Sequence, residues 1–140
     1  MRRAAQCYGY AALHAKICGS ANGETMNKNM VDVDGLRYDA AGLIPAVVQQ
    51  HDTGEVLMVA WMNRDAVLRT LAGPNAWFYS RSRAQLWEKG ATSGNLQTVV
   101  AVSVDCDADT LLVTVNQTGV ACHTGTRSCF TRTITHGAVS

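Results

Sequence analysis

Side chains able to bind metals and move protons are concentrated between Asp105 and Phe130. This stretch holds three of the chain's five cysteines, three aspartates at alternate positions and a histidine beside one of the cysteines. Thiolates and carboxylates are ligands of different classes of metal ion, zinc for the former and magnesium for the latter. The residues concerned are Cys106, Cys122, Cys129, Asp105, Asp107, Asp109 and His123.

The three cysteines form a candidate zinc site. Three thiolates leave the fourth position of a tetrahedral zinc ion open, which is typical of catalytic rather than structural sites. A water at that position is activated near neutral pH. The spacing of the cysteines is not that of a C-x-x-C pair. Small buried residues and a disulfide pair are therefore open alternatives to the zinc site.

The three aspartates form a candidate site for magnesium or a similar hard cation. A stretch rich in β-branched residues, 96–107, predicts a strand. Because successive strand side chains point to opposite faces, Asp105, Asp107 and, if the strand continues, Asp109 share one face. Cys106 then extends the opposite, apolar face, where a buried thiolate ligand is expected. Carboxylates this close repel one another unless a cation neutralises them. A solvated acidic turn at the strand end is the alternative.

Short strands and one helix must position these residues. Asn63 is a good N-cap for the helix, and Gly73 and Pro74 end it. A polar stretch at 31–42 predicts a short helix or turn, and residues 84–95 predict a helical turn followed by a loop. Strands outnumber helices, so we expect a β-rich α+β domain with a small, folded, barrel-like sheet capped by short helices. The predicted strands are 43–50, 55–62, 76–83, 96–107 and 111–117, with a hairpin turn at 51–54 and a loop at 118–130.

Two further features are candidates for binding anions. Arg81 and Arg83 alternate on the predicted strand 76–83, so their guanidinium groups share one face and can clamp a phosphate. A solvated strand edge explains them equally well. The backbone amides and hydroxyls of the loop at 93–95 can also hold an anion, although a plain connecting loop is the simpler explanation.

Composition limits the remaining possibilities. At 140 residues with a net charge of +1, the chain predicts a single domain and gives no electrostatic case for nucleic acid or membrane binding. An odd number of cysteines without a convincing secretory signal favours a reducing compartment, the cytoplasm. Residues 1–30 are interpreted as an N-terminal extension, 31–131 as the functional domain and 132–140 as a tail.

Five ordered motifs resemble those of the phosphoribosyl-AMP cyclohydrolases of histidine biosynthesis. The resemblance covers about residues 31–131. Ala108 stands where glycine is common in that family, and Thr126 stands where a basic residue is common. The motifs are L-I-P-A-V-V-Q, V-L-M-V-A-W-M-N, S-R-S-R-A-Q-L-W-E-K-G-A-T-S-G-N, D-C-D-A-D-T-L-L and A-C-H-T-G-T-R-S-C-F.

The resemblance implies a cyclic amidine hydrolase. In this family zinc-activated water opens the adenine ring of 1-(5-phosphoribosyl)-AMP at the N1–C6 bond, giving phosphoribosyl-formimino-aminoimidazole-carboxamide ribotide in the third step of the pathway. The resemblance assigns zinc to the three cysteines, shared across the interface of an intertwined homodimer, and magnesium to the three aspartates. His123 is the candidate general acid or base, with a substrate-orienting role as the alternative. Candidates for substrate binding are Arg81, Arg83, Trp87, Lys89, Ser93, Gly94 and Asn95. A tryptophan of the core is an equally good explanation of Trp87.

Two other classes of protein fit part of the pattern. A structural zinc module without chemistry accounts for the cysteines but not for the aspartates or the open fourth zinc position. A thiol redox protein accounts for free cysteines, but the chain has no C-x-x-C motif. The cyclohydrolase interpretation accounts for both sets of ligands.

Overall fold

The computed structural model describes residues 29–137, which form a four-stranded sheet, a two-stranded sheet, one α-helix and a short 3-10 helix. Most of the interpreted N-terminal extension and the end of the tail, 1–28 and 138–140, lie outside the described residues. The elements in chain order are a 3-10 helix at Val33–Gly35, β1 (Ile44–Gln50), β2 (Val56–Met62), α1 (Arg64–Ala72), β3 (Trp77–Ser80), β4 (Gln85–Glu88), β5 (Gln97–Val104) and β6 (Leu111–Gln117).

The order of strands in the larger sheet is β2-β1-β6-β5. β1 and β6 are parallel, and the two outer strands run antiparallel to their neighbours. The connection from β5 to β6 therefore lies beside the start of β1. The loop that follows β6 lies at the other end of the sheet, beside the end of β1. This topology decides where the candidate ligands can meet.

The core lies between one face of this sheet and the elements α1 and β3. Side chains along β1 alternate between buried and half-buried, as expected for a strand with one face against a core. The largest buried side chain is Phe78 of β3, whose ring lies 5.1 Å from that of Trp87 on β4. Thr70 of α1 joins the helix to β3, because its hydroxyl accepts from the Trp77 amide at 2.9 Å.

Helix α1 begins and ends where the sequence predicts. The Asn63 side chain accepts a hydrogen bond from the amide of Ala66 at 2.9 Å, which satisfies one of the free N–H groups at the start of the helix. Gly73 follows the last turn with a φ of 59°, a left-handed conformation that glycine adopts without strain. No helix among the described residues has both the length and the apolar character needed to cross a membrane.

The opposite face of the larger sheet carries a row of apolar side chains, two of them exposed and one half-buried. Val59, Val47 and Leu112 lie side by side across β2, β1 and β6. Val59 is 49% exposed and Leu112 is 36% exposed. A row of apolar side chains on a solvent-facing sheet is a surface suited to contact with another protein chain.

Three expectations about the elements are wrong. Among residues 29–137 the sheets are open rather than a closed or barrel-like sheet, because β2 and β5 are edge strands there. Residues predicted as a helical turn form β4, since pairing with β3 places Trp87 opposite Phe78. The strands predicted at 76–83 and 96–107 end earlier, at Ser80 and Val104. By contrast, β1, β2, β6 and the turn between the first two strands are confirmed.

Candidate active site

The three aspartates lie on the turn between β5 and β6. Their ligand oxygens are all within 4.8 Å of one another, although the side chains are exposed. The prediction that they alternate along a strand is wrong, because β5 ends at Val104. The turn gathers them instead, and Ala108 adopts a left-handed φ of 63° within it. Glycine adopts that conformation more readily than alanine does.

Hydrogen bonds within the turn shift the pKa values of two of the aspartates in opposite directions. Burial opposes ionisation of Asp105, but hydrogen bonds from the backbone amides of Asp109 and Thr110 outweigh it and lower the pKa of Asp105. Those bonds are 3.0 and 3.2 Å long. The pKa of Asp107 is raised by a hydrogen bond shared with Asp109, by slight burial and by the neighbouring negative charges. A divalent cation would relieve this repulsion.

Cys106 lies on the same turn, between two of the aspartates. It is exposed and free, so the prediction that it extends the buried face of a strand is wrong. The reason is again the early end of β5, which leaves the thiol outside the sheet. Cys106 is available for a ligand that approaches from outside the chain.

The loop 118–130 brings the other two cysteines together. The amide of Ala121 donates to the Arg127 carbonyl at 3.0 Å, and the amide of Cys122 donates to the Thr126 carbonyl at 3.2 Å. These bonds fold the loop back on itself, so that Cys122 approaches Cys129 closely enough for each to affect the other's ionisation. Both are free thiols, and His123, beside Cys122, is exposed.

The two thiols of the loop differ in acidity. The Thr124 side chain, 2.9 Å from the Cys122 sulfur, is the main cause that lowers the pKa of Cys122 to about 7. Burial is the main cause that raises the pKa of Cys129, and the charge of Cys122 adds to it. A thiolate is the form of cysteine that binds zinc. Cys122 is thus a ready ligand near neutral pH.

Glutamine side chains fasten this loop to the sheet, a feature that sequence reasoning missed. Gln117 donates to the carbonyl of Arg127 at 2.9 Å and to that of Gly119 at 3.3 Å. Gln97, which is fully buried, donates to the Gln117 side chain at 3.1 Å. A buried amide needs partners for its polar atoms. A glutamine within an apolar strand is therefore the sequence signal that could have indicated such a network.

The cysteine loop and the aspartate turn are far apart in one chain. Strand β6 is seven residues long and separates them by about 20 Å at about 3.3 Å per residue. The amide of Cys129 donates to the carbonyl of Leu57 at 2.8 Å. This hydrogen bond holds the loop at the start of β2, the end of that strand away from the aspartate turn. Cys106 and the other two cysteines therefore do not meet within one chain.

Lys89 and Asn95, two candidates for substrate binding, lie against the cysteine loop. The buried Lys89 ammonium donates to the carbonyl of Asn95 at 3.2 Å and to that of Val120 at 3.5 Å. Burial lowers the pKa of Lys89. The Asn95 side chain accepts from the amide of Val120 at 3.4 Å. Ser93 and Gly94 are exposed in the preceding loop.

Arg81, Arg83 and Trp87 line a cavity of about 580 Å³. The Arg81 guanidinium lies 4.7 Å from the centre of the Trp61 ring, a distance typical of a cation–π contact. Trp61 also lines a second cavity, of about 390 Å³, together with Asp109. Sequence reasoning did not single out Trp61. It becomes visible only when the end of β2 is placed beside the aspartate turn.

The sequence model of the family described as phosphoribosyl-AMP cyclohydrolase matches residues 58–131. A phosphoribosyl-AMP cyclohydrolase of Rhodospirillum centenum is 56% identical over 105 residues, which are 75% of this chain and 79% of the relative. The chain belongs to the phosphoribosyl-AMP cyclohydrolase family. A cyclohydrolase of Thermobifida fusca is 66% identical over 95 residues, 68% of this chain and 82% of the relative.

Another relative is a histidine biosynthesis bifunctional protein of Oceanobacillus iheyensis. It is 54% identical over 100 residues, which are 71% of this chain and 46% of that protein. As a member of the phosphoribosyl-AMP cyclohydrolase family, the chain is an enzyme. The segment that matches the family model contains the cysteines, the aspartates and the arginines described above.

Proposed function

We propose that the chain hydrolyses 1-(5-phosphoribosyl)-AMP by opening the adenine ring at the N1–C6 bond, in histidine biosynthesis. The family match over 58–131 carries the proposal. The gathering of three aspartates on the turn that holds Cys106 supports it, because carboxylates that could hold a cation lie beside a thiol. Three free thiols also fit a reducing compartment, the cytoplasm.

The donor atoms fit the two metals that the family resemblance implies. Asp105, Asp107 and Asp109 present clustered carboxylate oxygens, which suit magnesium. Cys122, with its pKa of about 7, and Cys129 present sulfur from one loop, which suits zinc. Cys106 would supply the third thiolate.

Because Cys106 lies at the other end of the sheet, this zinc site requires a second copy of the chain. In a two-fold symmetric dimer, Cys106 of each chain would meet the cysteine loop of the other, giving two equivalent sites. The row of exposed Val59, half-buried Val47 and exposed Leu112 offers an apolar sheet face for that contact. The split of the ligands is our reason for proposing a dimer rather than a monomer.

The proposed reaction adds water across the N1–C6 bond. When bound, zinc supplies a Lewis acid that activates water near neutral pH. From the neutral imino form of the substrate, oxygen bonds to C6, the C6–N1 bond breaks, and the two protons of water end on N1 and on the exocyclic nitrogen. C6 then becomes a carboxamide carbonyl. We propose that His123, exposed beside Cys122, carries the proton to N1.

The residues proposed to bind substrate fall into two groups. Arg81, Arg83 and Trp87 share a cavity and can receive a phosphate and a ring. The others belong to the segment 89–95, from which Lys89 and Asn95 contact the cysteine loop at Val120. They are Lys89, Ser93, Gly94 and Asn95.

Turnover tests the proposal directly. Conversion of phosphoribosyl-AMP is followed by absorbance with and without added zinc and magnesium, for the wild type and for Cys106→Ser. The control is Cys18→Ser, a substitution of a cysteine in the segment interpreted as an N-terminal extension. We expect metal-dependent turnover that is lost in Cys106→Ser and retained in the control. No turnover by folded, zinc-loaded dimer would overturn the assignment and favour a zinc-binding module.

A further inference from the structure

Two neighbouring cavities share the side chain of Trp61 as a wall. One is lined by Arg81 and Arg83, and the other by Arg37 and Asp109. We name the two cavities together the Trp61 groove; each of them is lined by arginine. A molecule with two phosphates separated by sugars and a base matches this distribution of positive charge.

The arginines of the Trp61 groove have positive charge to offer a ligand. Among residues 29–137, Arg37, Arg81 and Arg83 form no ion pair with a carboxylate. Trp61 fixes Arg81 through the contact of its ring, and the Ser80 hydroxyl accepts from the Arg83 side chain at 3.3 Å. Guanidinium groups that are held in place lose less freedom when they bind a phosphate.

The position of the groove along the sheet is the decisive observation. Trp61 pairs with Pro45 at the start of β1, where the turn from β5 to β6 also lies. The backbone amide of Arg37 donates to the carbonyl of Ala108 on that turn at 2.7 Å. The groove is therefore beside Cys106 and the aspartates, and the cysteine loop of the same chain is at the far end of the sheet.

We infer that the Trp61 groove binds the phosphate-bearing ends of the nucleotide and works with the cysteine loop of the second copy. Arg81 and Arg83 hold one phosphate monoester, and Arg37 receives the other beside Asp109, one of the three carboxylates that would hold a cation. Trp61 is a positioning residue for Arg81. This inference rests on the proposed function for the identity of the substrate.

Binding of substrate fragments tests the groove without any turnover. The probes are ribose 5-phosphate and 5′-AMP, measured by calorimetry on the full chain. We expect Arg81→Gln to weaken at least one probe about tenfold or more, since hydrogen bonds to charged groups are strong. If Arg81→Gln loses affinity for 5′-AMP alone, Arg81 binds the adenylate phosphate of the substrate. If it loses affinity for ribose 5-phosphate alone, Arg81 binds the other phosphate.

The chain offers a matched control for Arg81. Arg69 also lies over a tryptophan ring, at 4.8 Å from the centre of Trp77, but it is on helix α1. Arg69→Gln should leave the affinity for both probes unchanged. Trp61→Phe should retain most of the affinity, and Trp61→Leu should resemble Arg81→Gln. Equal binding by the Arg81 and Arg69 variants would overturn the inference.

Heterodimers test which cysteine loop the groove serves. Two variants carrying different tags are expressed together, and dimers with one copy of each are purified. A chain with Arg81→Gln and Arg83→Gln paired with a Cys122→Ser chain should keep one intact site, with about half the wild-type activity. The same arginine variant paired with Cys106→Ser should keep none. The reverse pattern would overturn the inference, because groove and cysteine loop would then serve the same chain.

Failure of the proposed function gives a different result from failure of this inference. Absent turnover with retained, Arg81-dependent phosphate binding would contradict the reaction and keep the groove as a phosphate site. Normal turnover, with phosphate binding that does not depend on Arg81, would support the proposed reaction and contradict the role of the Trp61 groove in binding phosphate. The two experiments therefore separate the two statements.

Discussion

Cys106 and Cys122 lie at opposite ends of strand β6. Cys106 is on the turn that precedes the strand, and Cys122 is in the loop that follows it. The hydrogen bond from Cys129 to Leu57 keeps that loop from folding back along the sheet. A zinc site that uses all three cysteines therefore depends on an assembly of at least two chains.

The first prediction is that two variants that are inactive as homodimers regain activity when one copy of each forms a heterodimer. Cys106→Ser and Cys122→Ser should each abolish zinc binding and turnover as homodimers. A purified heterodimer has one site with both substitutions and one with neither. We therefore expect about half the wild-type zinc content and activity, measured by metal analysis and initial rate.

Light scattering provides the control for this experiment. All variants should be dimers of the same mass, since the sheet face is unchanged. Heterodimers without zinc or activity would contradict the shared site. A fully active monomer would contradict it as well.

The second prediction concerns the aspartate turn. A hydrogen bond shared with Asp109, slight burial and neighbouring negative charge raise the pKa of Asp107, so protons compete with a cation there. Magnesium affinity, measured by calorimetry, should fall as the pH is lowered through the titration of Asp107. Asp107→Asn should weaken binding about tenfold or more, as one charged ligand is lost. Asp65→Asn, at an exposed site on α1, is the control, and equal affinity in both variants would exclude the turn as the magnesium site.

The third prediction is a difference in thiol reactivity in metal-free protein. The reactive form is the thiolate, so a pKa of about 7 for Cys122 means that alkylation slows as the pH falls below about 7. Cys129, whose pKa is raised, should become reactive only at higher pH. Peptide mapping by mass spectrometry separates the sites. Thr124→Val should shift the midpoint of Cys122 upwards, and an unchanged midpoint would contradict the role of the threonine hydroxyl.

The fourth prediction compares two glycines with left-handed backbone. Gly90 has a φ of 85° and Gly42 has a φ of 74°. A methyl group at Gly90 would lie 2.6 Å from the backbone of Asn95, whereas one at Gly42 would meet nothing within 4 Å. Gly42→Ala should cost about 1 kcal/mol of unfolding free energy from the conformation alone.

Gly90→Ala should cost more, about 3 kcal/mol, because overpacking adds to the conformational cost. Urea unfolding monitored by circular dichroism gives both values. Zinc affinity should also fall in Gly90→Ala, since the displaced Asn95 contacts the cysteine loop. Equal destabilisation by the two substitutions would show that steric contact at Gly90 is unimportant.

The sequence by itself determined the elements that depend on neighbours in the chain. The cap at Asn63, the stop at Gly73 and the strands β1, β2 and β6 follow from local spacing and conformational preference. The family was also readable from the motifs, since their residues and order are properties of the sequence. The identity of the candidate ligands came from the same source.

Only the tertiary structure decided how those ligands are distributed. The early end of β5 put the aspartates and Cys106 on a turn, and the parallel pairing of β1 with β6 placed the cysteine loop at the other end of the sheet. The contact between Trp61 and Arg81 depends on packing between residues 20 positions apart. Such arrangements depend on strand pairing and burial across the whole domain, which local periodicity does not specify.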